Sequence, residues 1–430
     1  MTQLEENVRE LREGAMKLSV TSDEVRKNAL HAIASSLSDR KGEIKRENAI
    51  DIENARKNGI SDSILHRLVF TDEKIASAIK GLEELALLPD PIGKVREKRE
   101  LDPGFILEKR TFPIGVIAMI FEARPDALVQ IAGLALRSGN AVVLKGGKEA
   151  QRSNAILTKI IKEATEPIVG AHWILGIESH EDVNTLLTLE DYIDLIIPRG
   201  SNKFVRFVMD NTRIPVIGHS DGICSVYVDK DADLDKALRI AVDSKIQYPA
   251  ACNAAETILV HKDVYETFLP RLSGEFIRHG VKVHADERAC PLMKDSVPAV
   301  PEDWDTEYLA LECAVKVVDS LDEAISHIAA HSSHHTDAIV SENKDAINRF
   351  FAEVDSADVF SNCSTRFADG FRFGLGAEVG ISTSKIHARG PVGLDGLMTT
   401  KWLLSGNGEI VADYSGPDAK SFHHKELPNA

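Results

Sequence analysis

A chain of 430 residues with 43% hydrophobic and 27% charged side chains has the composition of a folded globular protein, which excludes bulk disorder, collagen and extended coiled coil. Its 51 basic against 67 acidic residues leave a formal charge of −16, so the surface repels phosphate backbones and anionic lipid, and neither nucleic acid nor membrane is expected as a partner. Cys224, Cys252, Cys290, Cys313 and Cys363 form no CxxC pair and point to free thiols in a reducing compartment. The first ten residues are polar and acidic, unlike a signal or transit peptide, and the most apolar run, 114–121, is too short to span a bilayer. The expectation is a soluble, cytoplasmic protein.

In chain order, the first ninety residues read as helices. Thr21 and Glu24 have capping-box spacing, and Val25, Ala29, Ile33 and Leu37 form an apolar stripe. Residues 92–112 are charged and extended, with Asp102-Pro103-Gly104 as a turn, which predicts a hairpin. From Pro113 strands and helices alternate. Strands are expected at 116–120, 141–144, 173–175, 193–197 and 225–228, with helices at 125–137 and 149–164. A second series has strands at 257–260, 281–284, 314–318, 338–340 and 359–361, with helices at 321–330 and 345–351. Strands separated by helices imply right-handed crossovers and parallel sheets, so the fold class is α/β, doubly wound, in two units with a cleft between them. Residues 397–404 read as a further strand, and 413–430 as a polar surface tail.

The chemistry-bearing patterns are few. There is no Walker A motif, no HExxH and no GxGxxG after a strand; Gly374, Gly376 and Gly380 have the wrong spacing. His331, His334 and His335 lack nearby cysteines or a carboxylate pattern, so no metal site is expected. Two loops suit phosphate: Lys145-Gly146-Gly147-Lys148 and Arg199-Gly200-Ser201-Asn202, each between a strand end and a helix start. Together they suggest a dinucleotide, with ordinary glycine-rich turns as the alternative. Cys252 lies in a small-residue loop, Tyr248-Pro-Ala-Ala-Cys-Asn-Ala-Ala255, at the junction of the two units. Its residues alone fit an exposed nucleophile or a buried structural thiol equally well.

Longer runs carry a resemblance. Phe121-Glu-Ala-Arg-Pro-Asp126, Ser138-Gly-Asn-Ala-Val-Val-Leu-Lys-Gly-Gly-Lys-Glu-Ala150, Ile197-Pro-Arg-Gly-Ser-Asn202, Gly218-His-Ser-Asp-Gly-Ile-Cys224, Cys252-Asn-Ala-Ala-Glu-Thr257, His335-Thr-Asp-Ala-Ile339, Glu378-Val-Gly-Ile-Ser-Thr383 and His387-Ala-Arg-Gly-Pro-Val-Gly-Leu394 follow one another along nearly the whole chain. In these the sequence resembles the gamma-glutamyl phosphate reductases, a branch of the aldehyde dehydrogenase superfamily.

The resemblance implies an aldehyde dehydrogenase-like fold of two doubly wound α/β domains plus a small β oligomerisation element. Residues 1–95 and 115–235 would bind the cofactor, 236–390 would carry the nucleophile, 96–114 and 391–415 would form the oligomerisation arm, and 416–430 a tail. It makes Cys252 the nucleophile and Glu307 the ligand of the nicotinamide ribose, although Leu309-Ala310-Leu311 replaces the usual Phe-Gly-Pro. Lys145, Gly147, Lys148, Arg199, Gly200 and Ser201 join Glu307 as expected cofactor contacts, and Arg124, Asn253 and His219 are candidates for the substrate or oxyanion. The cofactor expected is NADPH, because a basic Lys148 stands where NAD-using relatives carry a glutamate.

The implied reaction is reduction of L-glutamyl 5-phosphate to L-glutamate 5-semialdehyde through a cysteinyl thioester, in proline biosynthesis. The chain would act as a homodimer or higher homo-oligomer, with glutamate 5-kinase as a candidate partner. Where ordinary aldehyde dehydrogenases carry a water-activating glutamate, residues 218–222 carry none, as suits a phosphate-exchanging enzyme. The alternatives are an oxidising aldehyde dehydrogenase of the same fold and a non-catalytic oligomeric binding protein.

Overall fold

The computed structural model describes residues 2–122, 124–178, 180–218 and 221–428. Five helices open the chain: α1 (Gln3–Leu18), α2 (Asp23–Asp39), α3 (Lys41–Lys57), α4 (Asp62–Leu68) and α5 (Asp72–Leu87). The capping box falls on α1, where Glu5 N–H donates to Thr2 Oγ1 and Thr2 N–H donates to Glu5 Oε2. The box expected at Thr21 and Glu24 does not form. Ser22 caps α2 by accepting from Val25 N–H at 3.3 Å, while Thr21 Oγ1 donates back to the Leu18 carbonyl at the end of α1. Of two adjacent hydroxyl residues, the first closes one helix and the second opens the next. Ala29, Ile33 and Leu37 are buried as the stripe required.

β1 (Val95–Asp102) and β2 (Phe105–Pro113) form the expected hairpin, turning at Gly104, whose φ of 78° suits a residue without Cβ. The first α/β unit follows: β3 (Val116–Phe121), α6 (Pro125–Arg137), β4 (Ala141–Lys145), α7 (Gln151–Val169), β5 (Ile174–Ile177), α8 (His180–Leu186), β6 (Leu195–Arg199) and α9 (Asn202–Asp210). Its four strands are parallel in the order β5-β4-β3-β6. Every residue of β3 and β4 is buried, which is why both read as unbroken apolar runs rather than alternations.

The second unit holds β7 (Cys224–Val228), α10 (Leu234–Ile246), β8 (Ala255–His261), α11 (Tyr265–Arg278), β9 (Lys282–Ala285), β10 (Val297–Pro298), β11 (Glu312–Val318), α12 (Leu321–His331), β12 (Thr336–Val340), α13 (Lys344–Glu353) and β13 (Asp358–Ser361). Its parallel sheet runs β10-β9-β11-β8-β7-β12-β13. β7 had been expected to close the first unit. Instead it pairs with β8 and β12 in the middle of the second sheet, and Val226 and Val228 pack with Phe268 and Val315. The boundary between the units therefore precedes residue 224 rather than following 235. An apolar five-residue strand carries no label for the sheet that takes it.

The other boundaries shift for the same reason. After β13 the chain crosses back, and Ala377, Val379, Ala388, Val392 and Leu397 bury themselves in the core of the first unit. This returning segment contains β14 (Ile381–Ser382) and β15 (Gly390–Pro391). β16 (Met398–Ser405) then pairs antiparallel with β2, from Met398 opposite Pro113 to Ser405 opposite Ile106. β17 (Lys425–Glu426) adds to the free edge of β1. The polar tail is thus partly strand, and Phe422 stacks on Tyr414 with ring centroids 4.4 Å apart.

Candidate active site

Cys252 sits in the turn between α10 and β8, half-buried, where Ala254 N–H closes onto the Ala251 carbonyl at 2.9 Å. The turn is clamped from one side by Cys224, whose thiol donates to the Cys252 carbonyl at 3.2 Å. Gly222 presses on it from the other. A Cβ at Gly222 would collide with the Cys252 carbonyl oxygen and stand 2.5 Å from its Cα. Cys252 opens onto a cavity of about 240 Å³ at the C-terminal ends of β3 and β6, the crevice where open α/β sheets bind ligands. Cys224 and Cys313 are fully buried, and desolvation pushes both thiols up, that of Cys313 to about 12. Cys363, half-buried beside α10, is also raised by burial.

Arg124, Arg199 and Glu378 share this cavity's wall with Cys252. Arg124 leads into α6 and is held by Asp126 at 2.9 Å. Arg199 ends β6, and its guanidinium makes no hydrogen bond or ion pair among the described residues. Desolvation, then repulsion by Arg124, lowers the Arg199 pKa, while Glu378, Cys252 and Asp126 pull it up. Arg199 was expected on the cofactor; the structure turns its side chain into the cavity of the nucleophile.

Glu378 was not foreseen as a site residue. Residues 218–222 indeed carry no glutamate, yet the returning segment brings this one into the cavity from much further along the chain. Among the described residues its one hydrogen bond is from Gly370 N–H at 2.7 Å, and burial raises its pKa. The signal in the sequence was a single acid between Gly376 and Gly380, in a segment otherwise without charge from Gly374 to Thr383.

The loop after β6 holds no open anion cradle. Ser201 N–H donates to Glu122 Oε1 at 3.1 Å, and Gly200 faces the same carboxylate. Asn202 Nδ2 donates to Asp221 Oδ1 and, at 3.0 Å, to Glu307 Oε2. Glu307 Oε1 accepts from Gly222 N–H at 3.0 Å, so this carboxylate spans the start of α9 and the backbone that presses on Cys252. Two residues on, Leu309 takes a positive φ of 54° and its N–H meets Glu256. Glu256 forms a fully buried ion pair with Lys245 at 2.5 Å, and burial raises its carboxyl to about 7 against that pairing. Asn253 is turned away from the cavity, with Nδ2 donating to the Ala368 carbonyl at 2.7 Å. His219 lies outside the described residues.

The loop after β4 is different. Lys145 is buried, bonds the Gly146 carbonyl at 2.7 Å, and has its pKa lowered by desolvation. It props the loop from inside. Gly147 and the exposed Lys148 form the lip of a groove of about 510 Å³ between α7 and residues 176–178. Lys148 makes no ion pair among the described residues. Gly146 has no room for a side chain because the Asn154 amide lies against it, and a Cβ on Gly176 would stand 3.3 Å from Thr158. A glycine-walled groove beside a free ammonium at a strand end fits the adenosine half of a dinucleotide.

This arrangement, two parallel sheets, a cysteine on a turn of the second unit that opens at the strand ends of the first, and a glycine-walled groove without GxGxxG, has known counterparts. The aldehyde dehydrogenase family matches residues 2–296, and the chain belongs to it. Membership implies a nicotinamide cofactor. Within that family the chain falls among the gamma-glutamyl phosphate reductases. It is 50% identical over 419 residues to the gamma-glutamyl phosphate reductase of Acetivibrio thermocellus, covering 97% of both chains. The crystal structure of the Thermotoga maritima gamma-glutamyl phosphate reductase superposes with a TM-score of 0.93 at 39% identity, covering 95% of this chain and all of that one. An acetylating aldehyde dehydrogenase from Geobacillus thermoglucosidasius shares the fold, with a TM-score of 0.65 at 16% identity over 95% of this chain and 97% of that one. Among the described residues no helix is long and apolar enough to cross a membrane.

Proposed function

We propose that this chain reduces L-glutamyl 5-phosphate to L-glutamate 5-semialdehyde and phosphate, with NADPH as reductant, in proline biosynthesis. The observation that carries the reading is the cavity shared by Cys252 and the unpaired guanidinium of Arg199. A carboxylate is a poor hydride acceptor; its acyl phosphate has a leaving group. Arg199 and Arg124 draw the phosphoryl oxygens to the wall beside the thiol. The Cys252 thiolate attacks the acyl carbon, the C–O bond to phosphate breaks, and the acyl group is left as a thioester on Sγ. The Cys252 backbone N–H, which donates to no described acceptor, would hold the oxyanion. A reduced nicotinamide, when bound, supplies the hydride that takes the thioester to the aldehyde level. Sγ then departs as thiolate and the aldehyde is free.

Gly147 and Lys148 would hold the adenosine end of the cofactor, Lys148 attracting a ribose 2′-phosphate, and Glu307 the nicotinamide ribose. Five free thiols fit a reducing, cytoplasmic setting. The exposed Trp402, Leu403 and Leu404 on β16 are the surface for self-association, and a glutamate 5-kinase is the class of enzyme that would supply the acyl phosphate.

A second reading rests on Glu378. A carboxylate in the thiol's cavity could activate water and make the chain an oxidising aldehyde dehydrogenase. Oxidation of glutamate semialdehyde with NADP⁺, followed at the nicotinamide absorbance, separates the two. Dependence on added phosphate or arsenate is expected; rapid oxidation without either would favour the second reading.

A further inference from the structure

The cavity of Cys252 has a neighbour. A second cavity, about 530 Å³, lies between α5, α6 and the segment 369–378. The two share one stretch of wall, made by Arg124, Arg199 and Glu378. The charges around the second cavity are largely satisfied within the protein. Lys74 Nζ donates to the Val69 carbonyl at 2.7 Å, Lys80 pairs with Glu84, Arg124 pairs with Asp126, and Asp369 caps Arg372 N–H at 3.0 Å.

The exceptions stand at the shared wall. Among the described residues Arg199 has no hydrogen-bond or ion-pair partner, Glu378 has only the Gly370 N–H on one oxygen, and the two form no ion pair with each other. Opposite charges held apart, half-buried and facing the same opening are poorly satisfied by the protein alone. A molecule with an anionic and a cationic group would satisfy both.

We propose that this wall is the subsite for the amino-acid head of the substrate, with Glu378 receiving the α-ammonium group while Arg199 receives the phosphoryl end. This deepens the reductase reading and rests on it for the identity of the substrate. The chemistry sets the reach. In a γ-acyl phosphate of an α-amino acid, the α-carbon is three carbon–carbon bonds from the reacting carbon, roughly 4 Å when extended. With the reacting carbon at Cys252 Sγ, Glu378 is the carboxylate on the wall common to both cavities that such a head would meet. Desolvation raises the Glu378 pKa, and an ammonium group beside it acts in the opposite direction, favouring the carboxylate. The site would therefore select α-amino acyl groups over plain dicarboxylic ones. Glu378 becomes a specificity residue, not the base of a hydrolytic reaction.

The test compares ligands with and without the amino group. Alkylation of Cys252 by iodoacetamide is followed by peptide mass spectrometry in the presence of L-glutamate or glutarate, which share two carboxylates and differ by the ammonium. L-Glutamate is expected to protect at concentrations at least about tenfold lower. Glu378→Gln keeps an oxygen for Gly370 N–H and loses the charge; the preference should fall towards unity, and Glu378→Asp should restore part of it. In turnover, the KM ratio between 5-oxopentanoate and glutamate semialdehyde should collapse in the same variant, with NADPH binding as the control for folding.

Equal protection by both ligands in the parent, or a preference that survives Glu378→Gln, would overturn the proposal. So would a variant that loses only phosphate-independent oxidation, which would make Glu378 a base. If the parent shows the ligand preference and Glu378→Gln abolishes it, but no phosphate-dependent oxidation occurs, the reductase reading fails and the subsite stands.

Discussion

The loops after β4 and β6 leave the same parallel sheet on either side of β3, and both pair glycine with a basic residue. In sequence they are two versions of one phosphate-binding turn. In the structure the first ends in an open groove with Lys148 free at its lip, while the second is already filled: Glu122 occupies the Ser201 amide, and Glu307 and Asp221 occupy Asn202. Backbone amides at a helix start attract an anion, and whether that anion is a ligand or a side chain of the protein depends on which carboxylates fold against them. The cation of the second loop is thereby freed to serve elsewhere, on the cavity of Cys252.

The contrast can be broken at four points. The largest effect belongs to the group that the second loop serves. Cys252→Ala should reduce turnover by roughly four orders of magnitude or more, with NADPH binding retained. Residual activity well above that level would remove the thioester and, with it, the reason for placing Arg199 there.

The next two are mirror images. Arg199→Ala should raise the KM for phosphate in aldehyde oxidation by about ten- to hundredfold and change the NADPH dissociation constant by no more than about twofold. Lys148→Glu should do the reverse, weakening NADPH by about ten- to hundredfold, leaving NADH nearly unchanged and sparing phosphate. Fluorescence titration with both cofactors and a phosphate series measure the pair. A common loss in both variants would mean that the two loops line one anion site after all.

The smallest effect tests the filling itself. Glu122→Gln keeps an acceptor for Ser201 N–H but loses the charge and a half-exposed ion pair with Arg67 at 3.7 Å. Such pairs contribute about 0–1 kcal/mol, so the melting temperature should move by only about 3 °C or less. A gain in phosphate or cofactor affinity in this variant would show that Glu122 stands in the place of a ligand.

Much of this was legible in the residues. Helix α6 lies where Pro125 at its start and Ser138-Gly139-Asn140 at its end placed it, because these residues act on their own backbone. Apart from β10, the strands of both sheets lie within a few residues of the apolar runs expected, most clearly where both faces are buried. Cys252 was singled out by its small-residue loop and given its role by family resemblance. Glu378 lies within a recognisable run, but no short pattern shows its chemistry, since its cavity is built from segments distant in the chain: α4, the end of β3 with the start of α6, the end of β6, residues 217–218, the Cys252 turn and the returning strand.

The sequence by itself determined the secondary elements, the α/β class and the candidate thiol, since propensity, capping and apolar periodicity are local properties of the chain. Only the tertiary structure decided that β7 belongs to the second sheet, that residues 377–397 return to the first unit, that Glu122 fills one loop while the other stays open, and that Arg199 and Glu378 line the nucleophile's cavity without an ion pair between them. The physical reason is the range of the forces involved. A strand's apolar surface is satisfied by any complementary sheet, and a charge by any opposite charge that arrives, so the choice of partner is made by packing between segments far apart in the chain, where no short pattern records it.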